Sequence, residues 1–101
     1  MAIDIYSVYI PSEDIVAREI KGELIIIPLA AGVGDLEDEL FTLNDTAKAI
    51  WKQLDGKRNL AEITANLVNE YHTNPDVIEQ DVLGIVNELV NLKIVVNIDD
   101  L

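Results

Sequence analysis

Residues 41–56 read FTLNDTAKAIWKQLDG, and the hydrophobic period changes in the middle of the stretch. Phe41, Thr42 and Leu43 close a short β-prone run. After Asn44 the apolar residues fall at Ala47, Ile50, Trp51 and Leu54, the i, i+3, i+4, i+7 stripe of an amphipathic helix. Asn44 suits an N-cap, because its side-chain oxygen can accept from amides that the first turn leaves unpaired. Asp45 adds a negative charge where the helix dipole favours one. Asp55-Gly56 ends the helix, since glycine enters the left-handed cap conformation without steric cost. Strands are therefore expected before this stretch and helices after it.

Upstream, IVAREI (15–20) and ELIIIPL (23–29) flank Lys21-Gly22, two β-prone runs around a glycine turn, and predict a hairpin. Pro28 falls near a strand end, where a missing amide donor matters least. AAGVGDLEDE (30–39) reads as a Gly- and acid-rich loop, and ELFTL (39–43) as a third short strand. IDIYSVYI (3–10) stops at Pro11 and suits either an extra strand or an extended arm. The division expected is an arm over residues 1–10 and one domain over 11–101.

Downstream, Asn59 with Glu62 three residues on is an Asn version of the capping box. It opens a second helix with the stripe Leu60, Ile63, Leu67, Val68 and Tyr71. Asn74-Pro75, a cap followed by proline at the first helical position, opens a third that runs to about Lys93. IVVNI (94–98) reads as a last short strand or an extended tail. The order predicts an α+β fold, a three-stranded antiparallel sheet followed by a three-helix bundle.

A chain of 101 residues, half of them apolar, can bury one real core. Without cysteine it forms no disulfide or thiolate metal site, so a reducing cytoplasm is the expected location. No apolar run approaches the ~18 residues of a membrane span, and the N-terminus lacks the basic start of a signal peptide. Nineteen acids against seven bases leave a net charge of −12. That field repels nucleic acid and anionic lipid, so neither is an expected partner, whereas a basic surface is attracted.

Side chains for catalysis are scarce. His72, the single histidine, sits at a helix end where its charge is favourable, and without cysteine it makes a transition-metal site improbable. Asp35, Glu37, Asp38 and Glu39 lack the spacing of a calcium loop. Ser7 and Ser12 have no nearby base, and the glycines at 32 and 34 do not open a phosphate loop. No catalytic residue, metal or cofactor is expected.

The third helix is apolar over too wide an arc. With Ile78 at 0°, residues Val82, Ile85, Leu89 and Leu92 fall within about 40°, an ordinary core stripe. Val86, Val90 and Leu83 extend the apolar arc to about 180°, and Glu79 and Lys93 lie inside that extra flank. Either the sheet or the arm covers the flank, or it forms a groove for a partner. The strand at 39–43 bears on the choice. A small antiparallel sheet has two edges, and an extended peptide can add at an edge through main-chain hydrogen bonds.

In their order, IVAREIKGELIII, LFTLND, AIWKQLDGKRNLAEITANLVNEY and DVLGIVNELVNLKIV resemble the PqqD family over about residues 11–96. The resemblance implies a winged helix-turn-helix-like fold and a non-catalytic peptide chaperone, a precursor-peptide recognition element. Such a protein binds the leader of a ribosomally made peptide and presents it to a modifying enzyme, often a radical S-adenosylmethionine protein. It implies that the leader adds beside the third strand and against the third helix. Carried over by position, the peptide-contacting residues are Glu39, Leu40, Phe41 and Thr42 on the strand, and Val82, Leu83, Val86, Val90 and Lys93 at the helix. The peptide pathway, whether pyrroloquinoline quinone synthesis or another, stays open. Two other readings stand beside this one: a winged-helix DNA-binding regulator, which the charge opposes, and a homodimer in which IDIYSVYI pairs on a neighbour's sheet edge.

Overall fold

The computed structural model describes residues 3–29 and 41–100, with the backbone only at Phe41 and Thr42. Along the chain run β1 (Tyr9–Pro11), β2 (Ile15–Ile20), β3 (Glu23–Pro28), β4 (Phe41–Leu43), α1 (Asp45–Gln53), α2 (Leu60–Tyr71), α3 (Pro75–Asn91) and β5 (Val95–Asn97). One 3-10 turn, Ile98–Asp100, follows β5. The sequence stretch expected as an acidic loop lies outside the described residues.

β2, β3 and β4 form the expected three-stranded antiparallel sheet, in that spatial order. Lys21 and Gly22 both take positive φ, 53° and 82°. That is the signature of a two-residue type I′ turn, whose twist matches that of the strands it joins. The turn fixes the register Ile20↔Glu23 and Arg18↔Ile25. Because strand side chains alternate, Leu24 and Ile26 go to the core while Ile25 and Ile27 stay half-buried on the other face.

A second, two-stranded antiparallel sheet joins the two ends of the described chain: β1 pairs with β5, with Tyr9 opposite Asn97 and Pro11 opposite Val95. The approach to β1 is held at several points. Ala61 N–H donates to Ile5 O at 2.9 Å, Gly56 N–H to Tyr9 O at 3.2 Å, and Ile98 N–H to Val8 O at 2.9 Å. Tyr9 is buried in the core, and Ile3 and Ile5 pack against it. This segment therefore pairs with β5, not with β4.

Each helix begins as its sequence dictates. Asn44 accepts from Ala47 N–H at 2.8 Å. Asn59 accepts from Glu62 N–H at 2.8 Å, while Glu62 accepts from Asn59 N–H at 3.0 Å, a complete capping box. Asn74 accepts from Asp76 N–H at 2.8 Å, with Pro75 in the first turn. The stripes Ala47, Ile50, Trp51 and Leu54 of α1 and its cap, and Leu60, Ile63 and Leu67 of α2, are buried. Tyr71 departs from its expected stripe and is 49% exposed. The helix stops there because His72 takes φ 52° and closes the end with its N–H on Val68 O. Thr64 enters the core instead, satisfying its hydroxyl by donating to Leu60 O at 2.8 Å.

Candidate peptide-binding site

β4 occupies one edge of the three-stranded sheet. One side of it pairs with β3 through Leu24↔Leu43, Ile25↔Thr42 and Ile26↔Phe41. Its other side has no strand partner among the described residues, and presents main-chain groups to which an extended chain can bond. Leu43 packs on the core and Asn44 caps α1 at once, so the strand is fixed to the helix that follows it. Of the four strand residues expected to meet a peptide, Phe41 and Thr42 stand in β4, and Glu39 and Leu40 lie outside the described residues.

α3 requires a correction. Val82 and Val86 are fully buried, together with Ile78 and Leu89. Ile85 and Leu92, placed within the expected core stripe, are only half-buried. The buried arc is thus centred near Val82, rotated by about 40° from an origin at Ile78. The reason is tertiary. The helix packs simultaneously on α2, α1 and β5, and the mean of those contacts sets its rotation. Val82 and Val86 serve as core in this structure.

What remains on the flank is a mixed row. Leu83 and Val90 are half-buried and pack on the edge of the core, and Glu79 beside them is half-buried too. Lys93 is exposed just past the cap residue Leu92, held at φ 61° as the chain turns from α3 into β5. The turn is closed by Ile94 N–H donating to Leu89 O at 2.9 Å. The sequence puts Glu79 in this flank by angle, but gives no sign that the residue is half-buried.

Charge is unevenly spread. α3 carries Asp76, Glu79, Asp81 and Glu88 and no base. The ion pairs among the described residues lie elsewhere. Lys48 and Lys52 of α1 meet Glu19 of β2 at 2.5 and 3.6 Å, and Arg58 meets Asp55 at 3.5 Å. The hydrogen bond and charge of Lys48 hold the Glu19 carboxyl below its ordinary value. Asp55 is lowered chiefly by the backbone N–H of Lys57, which donates to it at 2.9 Å in the turn after α1.

A concavity of about 540 Å³ lies between α1 and the end of α2, with Lys48, Lys52, Gln53, Glu70 and Tyr71 in its wall. It draws no residue from β4 or α3, and its charges are of both signs. Among the described residues no three His, Cys, Asp or Glu side chains come together as a metal site, and no helix is long and apolar enough to cross a membrane.

Three solved structures share this architecture. TbiB1 in complex with the TbiA(beta) leader peptide superposes with a TM-score of 0.71 at 21% identity, covering 85% of this chain and 93% of that one. Lasso peptide synthetase B1 complexed with the leader peptide gives a TM-score of 0.73 at 19% identity, covering 87% and 96%. The solution structure of the PqqD truncation of Methylobacterium extorquens PqqCD, a functional and stand-alone RiPP recognition element, gives 0.73 at 22% identity, covering 94% and 95%. At such identities the likeness is one of fold. Comparison with curated proteins returns no match. The sequence itself matches the profile of Coenzyme PQQ synthesis protein D (PqqD) over residues 29–95, a span from the end of β3 through all three helices into β5. With well over half its length matched, this chain belongs to the PqqD family.

Proposed function

We propose that this protein is a non-catalytic peptide chaperone. It binds the leader of a ribosomally synthesised precursor peptide and presents the remainder to a modifying enzyme, of the radical S-adenosylmethionine class. The leader adds as a strand to the open edge of β4 and lays alternate side chains against α3 at Leu83 and Val90, with Lys93 at the far end. Residues 39–42 supply main-chain hydrogen bonds, while Val82 and Val86 support the wall from within.

The observation that carries this reading is the edge of β4 that has no strand partner among the described residues, in a PqqD-family fold. Two proteins of that fold were solved with a leader peptide bound. Strand addition suits a small protein with few side chains for chemistry, because backbone bonds supply affinity and side-chain pockets supply selection. The net charge of −12 argues against nucleic acid as the ligand.

The test is an NMR titration with the leader segment of a precursor peptide encoded beside this gene. Shifts confined to residues 39–43 and 79–93 are expected. Saturable binding with no change in those two segments removes the proposal.

A further inference from the structure

We infer, on the basis of the peptide-binding reading above, that the peptide taken by this site is cationic as well as apolar, with a Lys or Arg set opposite Glu79. Two observations combine. First, Glu79, Leu83 and Val90 share one flank of α3, at about 100°, 140° and 120° from Ile78, and all three are half-buried. Second, α3 holds four carboxylates and no base, and none of the ion pairs among the described residues reaches it. Residues 30–40, which lead into β4, contain no Lys or Arg either. A half-buried glutamate beside an apolar row is thus left without a counter-charge from the chain's own lysines and arginines, in a field of net charge −12. A guest that buries the apolar row without a cation would desolvate Glu79 and gain nothing in return. A cationic guest offsets that cost, and the surrounding field speeds its approach.

Geometry gives the spacing. Glu79 and Leu83 are four residues apart, about 6 Å along a helix, and Glu79 and Val90 eleven, about 16 Å. An extended chain advances about 3.3 Å per residue and shows alternate side chains to one face. The peptide pattern that fits is a basic residue opposite Glu79 with an apolar residue two positions away, opposite Leu83.

Selection from a library of random twelve-residue peptides displayed on phage tests this. The unmodified protein is expected to enrich Lys or Arg two positions from an apolar residue. Glu79→Lys is expected to exchange the basic preference for Asp or Glu at the same position. Asp99→Asn, at an exposed site far along the chain, is expected to change nothing. For the best resynthesised peptide, Glu79→Gln should weaken binding by about two- to fivefold, and added salt should shrink that difference. Enrichment of apolar positions without a basic one, or an unchanged preference in Glu79→Lys, overturns the inference and leaves the peptide-binding reading in place. Failure to enrich any peptide overturns both. If shifts at Leu83 and Val90 follow protein concentration without peptide, the flank is a contact between copies and the inference falls.

Discussion

Lys48 Nζ lies 2.5 Å from Glu19 Oε1 and donates to Gly22 O at 2.8 Å, so one side chain of α1 holds both the β2 strand and the turn that follows it. Since Lys48 lowers the Glu19 pKa in the folded protein, the pair stabilises above the ordinary glutamate range and its contribution is lost as pH falls through the folded value. Glu19→Gln is expected to reduce the urea midpoint at neutral pH, and the gap to the parent should narrow as pH falls below the ordinary glutamate range. Because the site is exposed, salt should narrow the gap as well. A gap that widens toward acid would contradict the assignment.

The segment before β2 is core, so its removal is expected to destabilise the protein. Deleting residues 1–10 takes away Tyr9, which is 3% exposed, and strips β5 of its partner strand. Burial of an aromatic ring at this level accounts for about 3–5 kcal/mol on truncation to Ala. Thermal melts of Tyr9→Ala and of the deletion should show this loss. Tightened peptide binding by a still folded deletion variant would instead mean that the segment competes for the site.

Two glycines predict opposite outcomes. Gly56 has φ 78°, and an added Cβ would come within 3.1 Å of Ile10 Cδ1, so Gly56→Ala combines backbone strain with a tight contact at the end of the Ile10 side chain and should cost about 1–2 kcal/mol. Gly84 is exposed within α3, where an added Cβ meets nothing within 4 Å. Gly84→Ala should stabilise by about 0.5–1 kcal/mol. Chemical denaturation of both variants reads the contrast.

The two sides of α3 should separate stability from binding. Val86 is fully buried, and truncation to Ala should cost about 1–3 kcal/mol. Leu83 is half-buried, so Leu83→Ser should cost less in stability yet weaken leader binding about tenfold, measured by calorimetry. Equal stability losses with no effect on binding would remove Leu83 from the site.

Local rules account for the helix starts and the hairpin. Asn44, Asn59 with Glu62, and Asn74-Pro75 act within four residues of themselves, and Lys21-Gly22 sets its own turn. Such features are legible in sequence because the interacting groups are neighbours in the chain. The strand read at 39–43, of which 41–43 are described, and the apolar excess of the last helix were legible from short-range pattern. The rotation of α3 was not. Whether Val86 or Ile85 faces inward depends on where α2, α1 and β5 press on the helix, and those contacts join residues far apart in sequence. The pairing of β1 with β5 likewise needed both ends of the chain in place before a hydrogen bond could form. Sequence thus determined the elements and the family, through short-range periodicity and capping. Tertiary packing alone decided which valines of α3 are core and which side chains stay half-exposed.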